Sequence, residues 1–249
     1  MKHHDPEIGR FITRDTINGK KEVPQTLNKY IYCLNNPLKY VDPSGNESKD
    51  PQDAVEEIFE SLKNLSPEIV AELQEKVDSG EMTEFQALVH IIEVLGFTVL
   101  WADSDRNFLS VKISDDLIIR VRIKERLKDE KRKSLHGKYN PKTKTAFIDF
   151  SKTVNVGDMA LIFLHEASHG VLYTLDMDIP PEKQEKIIYG VQFSYMVASR
   201  LTSVDAQYST RYMRHVSNLS SIYDPSGIYR PSILDILERW FPRTGHPIN

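Results

Sequence analysis

His165 and His169 stand four residues apart inside a stretch of helical periodicity, so both imidazoles lie on one face, one turn apart, within reach of a single ion. Glu166 follows roughly 100° further round the helix, which lets its carboxylate approach a water at that ion without being a ligand itself. Those residue types suit zinc-assisted hydrolysis. The ion acidifies a water and polarises a carbonyl, while a carboxylate in the position of Glu166 takes the water's proton and returns it to the leaving group. The apolar run from Met159 to Leu164 anchors such a helix in a core.

Other chemistries find less support. Cys33 is the only cysteine, so no internal disulfide can form and a metal has to be held by His, Asp or Glu. There is no Gly-rich phosphate loop. His215, Tyr208, Tyr212 and Arg211 are candidates to stabilise an oxyanion, but their spacing selects none of them. His136, beside Gly137, reads as an exposed loop residue. With a net charge of -4 the chain offers no overall positive field for nucleic acid, and the basic run Lys124 to Lys133 is interleaved with Glu125, Asp129 and Glu130 as on a solvated face. No apolar run approaches the roughly 20 residues of a membrane span, and Met1 to Arg10 lacks the apolar core of a secretory signal.

The elements that must position the histidines follow from periodicity and turn chemistry. Apolar residues at helical spacing predict three helices, through Ala54, Ile58 and Leu62, through Ile69, Leu73 and Val77, and from Phe85 to Leu95. Ser66-Pro67 begins the second, and Thr83 with Gln86 gives the third a capping box that Gly96 closes. Phe97 to Ala102, Phe108 to Ile113 and Leu117 to Ile123 predict an antiparallel meander, and Thr145 to Phe150 a fourth strand. Helices are expected over Asp158 to Leu175, from Pro181 to about Leu201, and from Pro231 to Trp240. The fold class is α+β: a small antiparallel sheet and a metal-bearing helix packed against it.

Two resemblances sharpen these expectations. Residues 5–45, with `DPEIGRF` and `LNKYIYCLNNPLKYVDPSG`, resemble the last stretch of the rearrangement-hotspot (Rhs, or YD-repeat) family. That likeness implies that residues 1–46 are the C-terminal remnant of the Rhs core and that residues 47–249 are a toxin domain. In that family the aspartates of two `DPxG` elements are implicated in self-cleavage. The matching positions are Asp15 and Asp42, and this chain departs from the pattern at Thr16, where Pro is usual, and at Asn46, where an apolar residue is usual.

The `HEASH` segment and its flanks, over residues 145–200, resemble the zincin superfamily of metallopeptidases, which commonly set an edge strand beside the active-site helix to hold an extended substrate. The strand immediately upstream, Thr145 to Phe150, fits that role. Leu172 and Leu175 stand where the metzincin branch has Gly and His, leaving a gluzincin-like arrangement in which a downstream helix supplies an acidic third ligand. Glu185 and Glu182 are the matching candidates, with Asp176 and Asp178 behind them. Glu185 is preferred because it lies one turn before Ile188, on the side of the stripe through Val191, Tyr195 and Ala198.

The resemblances together imply a zinc metallopeptidase toxin, with Zn2+ on His165, His169 and Glu185 and with Glu166 catalytic. A protein or peptide is its substrate and a cognate immunity protein its partner. Such an effector would be secreted or delivered without a signal peptide of its own, and cytoplasmic in the producing cell. The rival expectations are a zinc amidase acting on cell-wall peptide and a non-catalytic binding module with a degenerate metal site.

Overall fold

In the computed structural model, residues 50–128, 135–175, 179–201 and 208–242 are described, together with a two-residue pair of antiparallel strands, β1 (His4–Asp5) and β2 (Arg10–Phe11). The other residues of 1–49, with Asp15 and Asp42, lie outside the described residues, as do Asp176 and Asp178.

Three capped helices open the described body. Asp50 accepts from Gln52 N at 2.9 Å and starts α1 (Pro51–Phe59) with Pro51 in the first turn. Ser66 caps α2 (Pro67–Asp78), and the capping box of Thr83 and Gln86 forms at α3 (Glu84–Val94). The chain leaves α3 through Gly96 at φ +93°, a left-handed conformation that glycine adopts without a Cβ penalty.

A five-stranded sheet follows in the order β3-β4-β5-β7-β6, built from β3 (Thr98–Asp103), β4 (Phe108–Ser114), β5 (Leu117–Ile123), β6 (Gly137–Asn140) and β7 (Thr145–Ile148). The first three strands form the antiparallel meander, but β7 pairs with β5 in parallel, Val121 opposite Ala146, so the sheet is mixed. The cause is the connection after β5. It returns the chain through β6 at the far edge, and the β6–β7 hairpin then inserts β7 beside β5 in the same direction. The strand expected at Thr145 to Phe150 ends at Ile148, because Asp149 accepts from Ser151 N at 3.0 Å and caps a short 3-10 turn.

Leu109, Val111, Ile119, Val121, Ala146 and Ile148 are fully buried on the inner face, against α4 (Val156–Thr174). This helix is buried nearly all round, as a central helix must be. Gly170 brings it close to the sheet: a Cβ there would stand 3.3 Å from Ile119 Cγ2 and 3.2 Å from Tyr139 Oη. Beyond it lie α5 (Pro181–Leu201), α6 (Thr210–Tyr223) and α7 (Ile233–Trp240), making seven α-helices among the described residues.

Two polar clasps hold the helices in register. Completely buried Asp158, in the first turn of α4, accepts from Ser209 N at 2.9 Å and Ser209 Oγ at 2.6 Å, and Ser209 is the N-cap of α6. Arg239 on α7 donates to Tyr195 Oη at 2.6 Å and to Glu56 Oε2 at 3.2 Å, while Tyr195 donates to Glu60 Oε2 at 2.8 Å. Among the described residues no helix is long and apolar enough to cross a membrane.

Candidate metal centre

The histidines leave α4 towards α5, where the carboxylate of Glu185 straddles them. Glu185 Oε2 lies 3.4 Å from His165 Nε2, and Oε1 lies 3.4 Å from His169 Nε2. One ligand atom from each of the three residues falls within 4.8 Å of the others. A tetrahedral ion with bonds of about 2.0–2.1 Å separates its ligands by about 3.3 Å, close to the spacing of carboxylate and imidazoles here. Glu185 Oε2 is moreover a buried oxygen with no hydrogen-bond partner among the described residues, as expected of a ligand atom aimed at an ion. The residues present therefore fit a metal.

The outer ring nitrogens are fixed by two glutamines of α5. Gln184 Nε2 donates to Ile179 O at 3.0 Å, which orients its amide so that Oε1 accepts from His169 Nδ1 at 2.9 Å. Gln192 Oε1 accepts from His165 Nδ1 at 3.0 Å. With Nδ1 carrying the proton in both rings, Nε2 is left for an ion. One helix thus supplies the acidic group and both supports, from positions 184, 185 and 192.

Electrostatics couples the cluster. Burial opposes charge on His165, but the Glu185 carboxylate 3.4 Å away, helped by Glu166 and Gln192, raises its pKa from 6.5 to about 9. Burial pushes Glu185 upward, yet its two histidine contacts dominate and hold it far below the usual carboxylate range. Glu166, 4 % exposed, is shifted upward chiefly by burial, with His165 and His169 opposing. It lies outside the set of three ligand atoms.

A cavity of about 550 Å³ opens over these groups. One wall is β6, the outermost strand. Gly137 at its start passes over the Glu166 carboxylate, and a Cβ there would stand 2.9 Å from Glu166 Cγ. The edge beside α4 is therefore β6, and β7, expected to serve, is interior. The opposite wall includes Tyr189, whose ring is 4.7 Å from that of His165, and Tyr223 stacked on Tyr189 at 5.6 Å. Burial drives the Tyr189 phenol well above its ordinary pKa, with Glu185 adding to the effect.

His136, expected to be exposed, is half-buried in this cavity, its ring 4.1 Å from His215 and 5.5 Å from Tyr212. Burial first, then the neighbouring His215, lower its pKa to about 4. Burial likewise lowers that of His215. Of the residues considered for an oxyanion, Tyr212 and His215 line the cavity; Arg211 is exposed, and buried Tyr208 sits 3.3 Å from Ser199 Oγ, outside the lining. Glu182 has a side-chain exposure of 74 %, pairs with Lys186 at 3.2 Å and is not in the group of ligand atoms.

What fold and site define is a mixed α+β protein with a preorganised His-His-Glu group and a buried carboxylate at its rim. Comparison with protein-family models, with curated proteins and with solved structures returned no match.

Proposed function

We propose that this protein is a zinc-dependent peptidase, held together chemically by His165, His169 and Glu185 with Glu166 as general base. The observation that carries the reading is the Glu185 carboxylate set 3.4 Å from both Nε2 atoms, with one oxygen buried and unpartnered among the described residues. A zinc ion held by these three groups supplies an acidified water and a polarised carbonyl. Glu166, with a pKa raised by burial, accepts the water's proton on its carboxylate and delivers it to the leaving amine. Tyr189, Tyr212, His136 and His215 bound the space in which the carbonyl oxygen gains charge.

The outer edge of β6, unpaired among the described residues, favours a peptide over other hydrolysable groups, because an extended chain can add to it by backbone hydrogen bonds. The proposed setting, as the C-terminal toxin of an Rhs-type polymorphic system with an immunity partner, rests on the likeness of residues 5–45. The test is elemental analysis of protein purified without chelators, with cleavage assays on a mixed peptide library and on peptidoglycan. Stoichiometric zinc and peptide cleavage lost in Glu166→Gln support the reading. Cleavage of peptidoglycan stems alone would replace it with the amidase, and absence of zinc uptake with the binding module.

A further inference from the structure

The sheet has a second face, opposite α4, whose composition is unlike that of a merely solvated surface. Its outward positions fall into three rows across the strands, one of them through Thr98, Lys112 and Ile118. Trp101, Ser110 and Arg120 are in register in the second row; Phe108, Arg122 and Phe147 are in register in the third. Ile118 follows along β5, 49 % exposed, and Trp101 is 48 % exposed. The Trp101 and Phe108 rings meet edge-on at 5.4 Å. Arg122 lies over the Phe108 ring at 6.0 Å and Lys124 over that of Phe147 at 5.1 Å.

Two of the nearby acids are occupied at the rim, and a third, Asp116, lies in the same hollow as Ile118 and Arg120. Asp115 pairs with Lys112 at 2.8 Å and Asp103 with Arg106 at 3.6 Å, whereas Arg120 and Arg122 have no ion pair among the described residues. The result is an apolar centre of Trp, Phe and Ile threaded by exposed guanidinium groups. Aromatic and arginine side chains are the types that carry binding energy at the centre of protein interfaces.

We propose that this face docks an acidic protein segment in which apolar residues alternate with carboxylates. The apolar side chains cover Ile118 and Trp101, and the carboxylates take the forked donors of Arg120 and Arg122. A nucleic-acid strand fits less well. Cations already sit over Phe108 and Phe147 where bases would stack, and the chain's net charge of -4 repels a long polyanion. The surface stands apart from the metal cluster, which lies on the α4 side, so its occupancy does not depend on the proposed activity.

The experiment measures fluorescence anisotropy of a labelled acidic peptide, with Leu and Phe interspersed among Asp and Glu, titrated with the full chain at low salt. Saturable binding is expected, weakened about tenfold or more in both Arg120→Ala/Arg122→Ala and Ile118→Ser. Those side chains are exposed, and melting curves matching the parent confirm that the variants fold. Loss in the arginine variant with full binding in Ile118→Ser would overturn the proposal, since only unspecific charge would then be at work. So would tighter binding of oligothymidylate or phosphatidylglycerol vesicles through the same arginines, self-association abolished by the same changes, or no binding of the peptide.

Discussion

Gly137 and Glu166 touch across the boundary between sheet and helix: the β6 backbone runs so close to the carboxylate that a methyl group at Gly137 would stand 2.9 Å from both Cγ and Cδ of Glu166. The glycine has an ordinary negative φ, so its requirement is steric and comes from the neighbour. Gly137→Ala must therefore move either the edge strand or the carboxylate. The expected result is a stability loss of about 1–3 kcal/mol by overpacking and a fall in turnover of at least about tenfold, with zinc content unchanged. Peptide-cleavage kinetics beside metal analysis checks it; full activity in the alanine variant would show that the carboxylate has room to spare.

Much of this scaffold was legible because the signals were local. Ser66, Thr83 and Gln86 cap the helices they were expected to start, and the apolar spacing around His165 fixed the helix that carries it. Strand β6 was missed because Gly-Lys-Tyr-Asn is four residues long and turns only Tyr139 fully inward, which leaves almost no alternation to detect. The parallel pairing of β7 was missed because strand neighbourhood is a long-range property that a hairpin pattern cannot reveal. Helix α6 did leave a signal in the Ser209 cap followed by Tyr212, Val216 and Ser220 at helical spacing. Gln192 was also within reach, since it follows Glu185 by two turns and shares its face. The meeting of His136 with His215 joins a loop to a helix far along the chain, and no spacing encodes it.

Zinc uptake should be coupled to pH through His165. Without metal its folded pKa of about 9 lies above the unfolded 6.5, chiefly because Glu185 outweighs burial. That stabilisation is fully present below pH 6.5 and is lost as pH rises through 9. The metal-free protein should thus lose melting temperature between pH 7 and 9, while zinc binding tightens over the same range because the ion has to displace the proton. Zinc at about a thousandfold over its dissociation constant should add about 4 kcal/mol. Melting scans with zinc and with chelator across that range, and with Glu185→Gln, are the measurement; a zinc effect that shrinks as pH rises from 6.5 would contradict the coupling.

The two glutamines should act through the histidines they hold. Gln184→Ala frees His169 to rotate and leaves Ile179 O unpaired, so zinc affinity should fall about 10–100-fold. Gln184→Glu keeps an acceptor for Nδ1 but cannot donate to Ile179 O, so it should recover only part of that loss. Zinc titrations of the pair decide the matter, and equal weakening in both would assign Gln184 to packing alone.

Asp158 links the start of α4 to the start of α6, and through it to the wall formed by Tyr212 and His215. Its carboxylate, fully buried, accepts from Val154 N at 3.0 Å and from both the backbone N and Oγ of Ser209. Removing it leaves three part-buried donors without their acceptor, which costs most where water cannot replace it. Asp158→Ala should therefore destabilise by about 2–3 kcal/mol. Ser209→Ala removes one of those donors and the N-cap contact to Tyr212 N, and should cost about 1–2 kcal/mol. Because the residues share one network, the double variant should lose less than the sum, with a coupling of about 0.5–1 kcal/mol. Urea unfolding of the four proteins in a cycle measures it, and strict additivity would mean that α6 is held in place by its apolar face instead.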